Sequence, residues 1–391
     1  MRILKKLFCI SLALLMPILL TTGCLHSAEL NERALVQAMG IDRKNGMYQI
    51  TLQVFDPQGG GTTTAVDASK VNSQVILVEG QTISEAFLNA SLQQGKEVFY
   101  GHNKLVIIGE SAAREGISAI TNFLNSNPDF RPNVDMAVCQ GDASEIVSAQ
   151  ISQGLLPALE IQMTLANEEK NGQIFRGRFY QVMQSLSSPD RDPCMPFVEL
   201  YQDKLGNSTI RVSGTALFHD EFLVGQLNRE ETKGLLFAAN KMKKTLVNVQ
   251  DDSLGLVSLE VIRSSTGIKG SFQWEEAPEF TLQIRLKSRA QEVNGTKLSS
   301  VNASNVKQIE EEQDGQIAKT IQNALEKTLV FYGVDPIGLE RYCPAKVRRQ
   351  IQENREQWLQ VRAQSQFHVT VTSEIESFGL QKDGDSKGGQ S

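Results

Sequence analysis

The chain has 391 residues, of which 40% are hydrophobic and 21% are charged. These fractions are typical of a packed globular protein and exclude a mainly disordered chain, a collagen-like fibre and a polytopic membrane protein. The formal net charge is −6 and no dense basic stripe is present, which argues against a nucleic-acid binder. The four histidines lie far apart in sequence, so no zinc site built on local histidine spacing is expected.

The beginning of the chain has the pattern of a secretory leader over residues 1–23. Three basic residues open it, and an apolar stretch follows over residues 7–20. That stretch is short for a spanning helix, which needs ~20 apolar residues. Small residues ending in Gly23 then precede Cys24, an order that resembles a bacterial lipobox. We expect cleavage before Cys24 and a diacylglyceryl group on its sulfur, the alternative being an ordinary secretion signal with an incidental cysteine.

Export changes the interpretation of the cysteines. Cys9 leaves with the leader and Cys24 carries lipid, so that Cys139, Cys194 and Cys343 remain. An odd number without a CxxC motif favours free thiols buried as small apolar side chains, because a large core needs no disulfide staples. One disulfide among the three stays open, and the sequence does not identify its members.

Strand and helix patterns alternate over the first half of the mature chain. A break is expected at residues 40–42, a half-buried strand over residues 47–55 and a Gly/Thr-rich loop at residues 59–64. Thr82 and Glu85 form a capping box that opens a helix. The elements predicted next are a strand buried on both faces at 104–109, a helix over 114–125, a strand around 134–138 and a helix opened by a second capping box at Asp142 and Glu145. This order predicts an α/β arrangement to about residue 190.

The second half begins after a polar, proline-rich segment at residues 187–193, where we place a domain boundary. Alternating apolar residues predict strands that are mainly antiparallel with one solvated face. The predicted elements are a hairpin over 210–224, a helix capped by Asn228 and Glu231, strands around 257–261 and 280–286, a long helix over 306–332 ended by Gly333, a helix opened by Pro344 and a final strand over 367–375.

Together these patterns predict an α+β (mixed α/β) protein with an N-terminal domain over 24–190 and a C-terminal domain over 206–379. The C-terminal domain is expected to be either one unit or two sub-lobes divided near residue 300. The Gly/Lys/Asp/Ser-rich end of the chain, residues 380–391, is expected to be disordered.

The sequence contains no arrangement typical of hydrolytic chemistry. It has neither an HExxH helix nor a GxSxG elbow. Ser304 and Lys307 fit the short pattern SxxK, which arises easily by chance. Asp190 and Asp192 are followed by proline and cysteine rather than by the further oxygen ligands of a calcium loop, so they are interpreted as loop residues. His102, just before a buried strand, is expected to make a structural hydrogen bond rather than to bind a ligand. Carboxylate pairs distant in sequence stay possible.

Several motifs, in order over some 350 residues, resemble the Ger(x)C family, the lipoprotein C subunits of nutrient germinant receptors in endospore-forming bacteria. The matching segments are residues 29–36, 39–42, 48–54, 80–86, 101–110, 123–124, 128–131 and 143–146 in the first half and 214–218, 223–227 and 335–339 in the second. The departures are Leu25 and His26, where members often have Trp-Asp, and Thr21, where a lipobox usually has leucine. They bear on the anchor region rather than on the fold.

The resemblance implies a lipid-anchored protein on the outer face of the inner spore membrane. It implies partners, an A-type and a B-type membrane subunit, and a role in nutrient sensing without enzymatic activity, cofactor or metal. An exported, tethered, acidic chain without a catalytic motif also fits a binding or scaffold module. Two other hypotheses are kept: a solute-binding lipoprotein that serves a transporter, and a lipid-anchored hydrolase of the cell wall.

Overall fold

A computed structural model describes residues 33–55, 73–149, 157–251, 255–274, 276–295 and 303–378. The leader, Cys24, the Gly/Thr-rich loop at 59–64 and the predicted disordered end at 380–391 lie outside the described residues. Within them the chain folds into two sheets with helices packed on their faces, which confirms the α+β prediction. No described helix is both long and apolar enough to cross a membrane.

The first sheet contains ten strands. They are β1 (Arg33–Lys44), β2 (Met47–Phe55), β3 (Ser73–Gly80), β4 (Glu97–Phe99), β5 (Leu105–Gly109), β6 (Asp135–Cys139), β7 (Gly177–Arg178), β8 (Cys194–Gln202), β9 (Ser208–His219) and β10 (Phe222–Asn228). The order across the sheet is β10-β9-β8-β6-β5-β1-β2-β3, with β4 beside β1 and β7 beside β6. The central strands β8, β6, β5 and β1 are parallel, and antiparallel strands flank them on both sides.

Helices cover both faces of this sheet. They are α1 (Ile83–Gln94), α2 (Glu110–Glu115), α3 (Ser118–Ser126), α4 (Ala143–Ser148), α5 (Pro157–Lys170) and α6 (Phe179–Leu186). All of β5 is buried because alternate residues enter two different cores: Val106 and Ile108 pack with α1 and α3, and Leu105 and Ile107 pack with α4 and α5. This confirms the prediction of a strand buried on both faces.

The second sheet has the order β11-β12-β13-β14. Its strands are β11 (Thr245–Asp251), β12 (Gly255–Ser271), β13 (Glu279–Gly295) and β14 (Gln366–Phe378), and its helices are α7 (Arg229–Ala238), α8 (Ala303–Leu325), α9 (Ala345–Glu353) and α10 (Arg355–Arg362). The pairs β11–β12 and β12–β13 are antiparallel, whereas β14 runs parallel to β13. Between β13 and β14 the chain passes through α8, α9 and α10, and this long connection allows the two strands to run parallel.

Two predicted helix starts are confirmed by their caps. Thr82 Oγ1 accepts a hydrogen bond from Glu85 N at 3.1 Å, and Gly80 lets α1 turn back on β3 because a Cβ there would lie 2.5 Å from Ala86 N. Asn228 and Glu231 form a reciprocal capping box at α7. The predicted stop of the long helix also holds: after α8 a π-helical turn (Glu326–Phe331) leads to Gly333, whose φ is +65°.

Three predictions of local structure are wrong for tertiary reasons. No break occurs at residues 40–42, because β1 continues to Lys44 in register with β2. Strand β2 is buried on both faces, since Thr51 and Gln53 lie under α4 and α5 rather than in solvent. Asp142 does not cap α4 with its side chain; Asp42 of β1 does so instead.

Two predicted helices are each divided into two. The helix expected over 114–125 ends at Glu115 and resumes at Ser118, because Gly116 adopts a φ of +117° that breaks the helical backbone. The helix opened by Pro344 is interrupted at Asn354, between α9 and α10. Neither interruption changes the buried face that the periodicity predicted, which includes Ile351 and Trp358.

The first sheet crosses the loop at residues 187–193. Strands β8, β9 and β10 follow that loop and pair with the N-terminal strands. Leu217 and Leu227 of this sheet also belong to the core beneath the second sheet. The two sheets therefore share packed residues, and the predicted division at 24–190 and 206–379 stays a prediction about sequence units.

Candidate functional site at the junction of the two sheets

The loop before β8 is joined to the loop after α8 by a polar network. Asp192 N donates to Asp335 O at 2.9 Å, and Asp335 N donates to Asp192 Oδ2 at 2.7 Å. The two residues are 143 positions apart, and both are almost fully buried. This reciprocal pairing connects the sequence segment that was predicted to be a boundary with the far half of the chain.

The Asp335 carboxylate organises the turn that follows it. It accepts backbone hydrogen bonds from Ile337 (3.1 Å), Gly338 (2.8 Å) and Leu339 (2.7 Å). Gly338 has a φ of +77°, which explains the glycine of the Asp-Pro-x-Gly motif. Burial raises the pKa of Asp335 above its ordinary value, against the opposing effects of Arg362 and the amide donors. The turn is thus closed by its own acid side chain.

Arg362, at the end of α10, supplies the cation of the network. Its side chain is buried, and Nη2 donates to Asp192 Oδ2 at 3.3 Å and to the carbonyl oxygen of Gly333. A buried guanidinium is tolerated only when it is paired, so this contact ties α10 to both loops. We call Asp192, Asp335 and Arg362 the junction triad.

A second ion pair reinforces the junction nearer the surface. Asp190 Oδ2 accepts from Arg341 Nε at 2.7 Å, and Ser188 Oγ donates to the same carboxyl group through Oδ1. Hydrogen bonding and the Arg341 charge hold the pKa of Asp190 below its ordinary value despite partial burial. The two carboxylates interpreted as simple loop residues therefore hold distant parts of the chain together.

A cleft of about 610 Å³ opens beside the junction triad. Residues from α3, α6, the 187–193 loop, the β9–β10 turn and α10 line it, among them Ser185, Arg191, His219 and Arg355. The volume lies within the range of small-molecule sites, and the lining is largely polar. His219 Nδ1 lies 3.8 Å from Asp192 Oδ1, too far for a hydrogen bond.

The cleft does not present an activated nucleophile among the described residues. Ser185 accepts from Arg191 Nε at 3.1 Å and Ser188 donates to Asp190, and neither is hydrogen-bonded to His219. A Ser–His pair within hydrogen-bonding reach is what nucleophilic catalysis requires. What the arrangement offers chemically is a polar recess held by a buried ion pair.

The other residues examined from the sequence lie apart from this site. His102 is exposed with its ring centroid 6.0 Å from that of Phe99. The buried neighbour Asn103 accepts a hydrogen bond through Oδ1 from Leu105 N at 3.4 Å. Ser304 is exposed at the start of α8, and Lys307 Nζ pairs with Glu311 at 3.5 Å. The described residues contain no group of three side chains suited to a metal ion.

The three remaining cysteines are free and buried, as predicted, and no disulfide joins any two of them. Burial raises the pKa of Cys194 to about 12 and that of Cys343 to about 11, and it raises the pKa of Cys139 further still. Such thiols are protonated at neutral pH and unreactive. Cys24, the predicted lipidation site, lies outside the described residues.

Sequence reasoning missed Arg362 and His219 in this site. The sequence predicts a turn at the Asp-Pro-x-Gly motif of Asp335 and a loop at Asp192, but nothing in it indicates that the two residues meet. Arg362 follows the apolar face of α10 and resembles an ordinary surface arginine. Only its 2% exposure identifies it as a buried cation.

Comparison with known proteins assigns both halves of the chain to one class. Residues 26–200 match the model of the spore germination protein N-terminal domain, and residues 213–379 match that of the spore germination B3/GerAC-like C-terminal domain. These two matches define a spore germination protein. The chain belongs to the Ger(x)C family.

Curated relatives cover most of the chain at low identity. The putative spore germination protein YfkR of Bacillus subtilis (strain 168) is 24% identical over 96% of this chain and 98% of its own. Spore germination protein KC of the same organism is 27% identical over 66% of this chain and 68% of its own. Spore germination protein GerQC of Bacillus cereus is 22% identical over 92% of this chain and 95% of its own.

A solved structure has the same fold. The crystal structure of the GerBC protein superposes with a TM-score of 0.55 at 18% identity, covering 87% of this chain and 97% of that one. At this identity the likeness concerns the fold alone.

Proposed function

We propose that this chain is the lipid-anchored, non-enzymatic C subunit of a nutrient germinant receptor. It acts with an A-type and a B-type membrane subunit in nutrient-triggered germination of endospores. The observation that carries the proposal is the pair of family matches, which together extend from residue 26 to residue 379. The first match begins two residues after Cys24, where the predicted lipid would be attached.

The anchor places the folded part close to the membrane. The nine residues from Cys24 to Glu32 connect the lipid to β1. When fully extended they span at most ~30 Å. A diacylglyceryl group supplies two acyl chains, which suffice for stable attachment. The proposed location is therefore the outer surface of the inner spore membrane, where tethering raises the effective concentration of the subunit toward its membrane partners.

The geometry at the junction supports a binding or scaffold role over catalysis. The carboxylates of Asp190, Asp192 and Asp335 are engaged with guanidinium and backbone N–H groups rather than aligned on a reacting centre. A buried network of this kind stabilises the relative arrangement of two sheets. A subunit that holds a fixed shape beside membrane partners needs this property.

Co-purification tests the proposal. We expect the tagged protein, extracted in mild detergent from inner spore membranes, to bring down two polytopic subunits and to carry a diacylglyceryl group on Cys24 by mass spectrometry. The variant Cys24→Ala should leave the membrane fraction and weaken germination while its folded part keeps the wild-type melting temperature. Recovery of the protein alone after mild crosslinking would contradict the proposed function.

The cleft beside the junction triad favours one second candidate, a solute-binding lipoprotein. Its volume of about 610 Å³ and polar lining are suited to a small polar molecule. Calorimetry against a panel of amino acids and sugars tests this candidate. A micromolar ligand, together with failure to recover membrane subunits, would favour it over the receptor subunit.

A further inference from the structure

The hairpin of β8 and β9 extends beyond the sheet that holds its base. The ladder from β6 to β8 ends at Val198, and the ladder from β10 to β9 ends at Gly214. Beyond these points β8 and β9 pair only with each other, from Glu199–Arg211 to Gln202–Ser208. We call residues 199–211 the β-arm. In the described part of the chain, both of its outer strand edges lack a ladder partner.

The tip of the β-arm is a rigid turn. Asp203 Oδ1 accepts from Leu205 N and Asn207 N, both at 2.8 Å, and its Oδ2 accepts from Asn207 Nδ2 at 3.0 Å. Asp203 N donates to Asn207 O at 2.9 Å, and Gly206 adopts a φ of +81°. These bonds satisfy the turn internally, so it holds one shape without help from the rest of the protein.

This rigid turn presents an apolar side chain to the exterior. Leu205 is 86% exposed, more than any other large hydrophobic residue in the described part of the chain. Leu200 and Tyr201 on the same arm are also exposed, at 42% and 37%. A short two-stranded hairpin is only marginally stable alone, and an apolar tip adds nothing to its stability in water. Scattered exposed leucines are ordinary, but a preorganised one on a projecting arm is suited to insertion into a pocket.

The charges on the β-arm favour a protein over a lipid bilayer as its binding partner. Glu199 and Arg211 pair at 2.6 Å, with the guanidinium 4.4 Å from the Tyr201 ring centroid, and Asp203 offsets Lys204. A neutral arm has no attraction for anionic lipid headgroups. Its strand edges also carry unpaired backbone groups, which cannot be buried in hydrocarbon but can pair with a strand of another protein.

We propose that the β-arm is a docking element that inserts Leu205 into an apolar pocket of a membrane-embedded protein partner and offers a strand edge to an extended segment beside that pocket. The proposal rests on the proposed function, which supplies such a partner at the same membrane. Burying one leucine in full contributes enough to change a binding constant by tenfold or more. Side-chain substitution at this position leaves the turn intact, because the turn uses only the backbone N–H of Leu205.

Site-specific photocrosslinking tests the docking element in the full-length, membrane-attached protein. Benzoylphenylalanine is placed at position 205, and at Leu92 of α1 as the matched control, since Leu92 is 73% exposed and lies outside the arm. After irradiation of inner spore membranes, we expect position 205 to join the chain to one of the two polytopic subunits with at least tenfold higher yield than position 92.

Any other result of the crosslinking experiment contradicts the proposal that the β-arm is a docking element. A crosslink to lipid would assign the tip to the bilayer, a crosslink to a second copy would assign it to self-association, and equal yields at both positions would remove any special role. Recovery of both polytopic subunits with the tagged protein, without a crosslink from 205, would refute the β-arm and leave the proposed function standing. Failure of recovery itself would refute the proposed function.

A substitution gives an independent readout of the same contact. Leu205→Asp should lower recovery of the polytopic subunits about tenfold or more in detergent, whereas Leu92→Asp should leave recovery unchanged. Both variants should keep the wild-type melting temperature, because both side chains are exposed. Equal recovery with Leu205→Asp and wild type would contradict the proposal.

Discussion

At the scale of single residues, the chain buries titratable groups in two different ways. Asp42 and Asp335 are buried carboxyl groups that accept several backbone hydrogen bonds, and burial still raises the pKa of each. Cys139, Cys194 and Cys343 are buried thiols, and burial outweighs the cations that favour a thiolate, Lys241 and Arg191 near Cys194 and Arg348 near Cys343. The carboxyl groups organise backbone, while the thiols behave as small apolar side chains.

The buried thiols predict a loss of stability in alkali. An unfolded thiol ionises near pH 8.5, but burial raises the pKa of Cys194 to about 12 in the folded state. The unfolded state therefore binds fewer protons above pH 8.5, and stability falls as pH rises, by about 1.4 kcal/mol per pH unit for each such thiol. Comparing urea unfolding of wild type and Cys194→Ala between pH 7.5 and 10 isolates this effect from other groups.

At pH 7.5 the Cys194→Ala variant should be less stable by about 1 kcal/mol, because it leaves a small cavity. The difference should close as pH rises above 8.5 and then reverse. A difference that stays constant to pH 10 would show that the Cys194 thiol ionises as readily in the folded protein as in the unfolded one.

At the scale of secondary structure elements, α4 depends on a residue about a hundred positions away. Asp42 Oδ1 accepts from Ala143 N at 2.7 Å and Oδ2 from Ser144 N at 2.9 Å, so β1 caps the helix that packs across it. Asp142, which stands at the N-cap position itself, pairs with Lys44 at 2.6 Å instead. The local capping signal was correct about where the helix begins and wrong about which acid caps it.

Substitution of the two acids separates these roles. Asp42→Ala should lower the free energy of unfolding by about 2 kcal/mol, since two buried amide donors lose their acceptor. Asp142→Ala, the matched control, should change it by less than about 1 kcal/mol because its ion pair is partly exposed. Urea denaturation measures both, and equal effects would mean that Asp142 caps the helix after all.

At the scale of the whole molecule, the junction triad and a shared apolar core hold the two sheets in one arrangement. Leu217 and Leu227 of the first sheet pack into the core under the second. Asp192 and Arg362 add a buried ion pair, whose contribution lies in specifying how the loops meet more than in net stability. The β-arm extends from the first sheet of this arrangement.

Breaking the junction triad should loosen this arrangement. Arg362→Met leaves Asp192 buried without its cation and should cost about 3 kcal/mol. Arg341→Met removes the more exposed partner of Asp190 and should cost less than about 1 kcal/mol. Hydrogen exchange provides the measurement: amides of Asp335, Gly338 and Leu339 should exchange about a hundredfold faster in Arg362→Met. Unchanged protection there would mean that the backbone bonds hold the junction without the arginine.

Much of the fold was predictable because its signals are local. Alternation of apolar residues placed most strands, and capping pairs such as Thr82 with Glu85 placed helix starts, since both depend on residues a few positions apart. Strand β2 shows the limit of this approach. Thr51 and Gln53 are polar residues on the face that was expected to be solvated, yet α4 and α5 cover them and Gln53 Oε1 accepts from Ala158 N.

The sequence by itself determined the class of fold, the helix starts, the buried thiols and the membership of the Ger(x)C family, because these depend on short-range patterns and on motif order. Only the tertiary structure decided that Asp192 meets Asp335, that Arg362 is a buried cation, that Asp42 caps α4 and that the β-arm projects with Leu205 at its tip. Each of these depends on contacts between residues brought together by strand order, or on where a neighbouring strand ends. Periodicity carries no information about either, because it describes which face of an element is buried and not which element covers it.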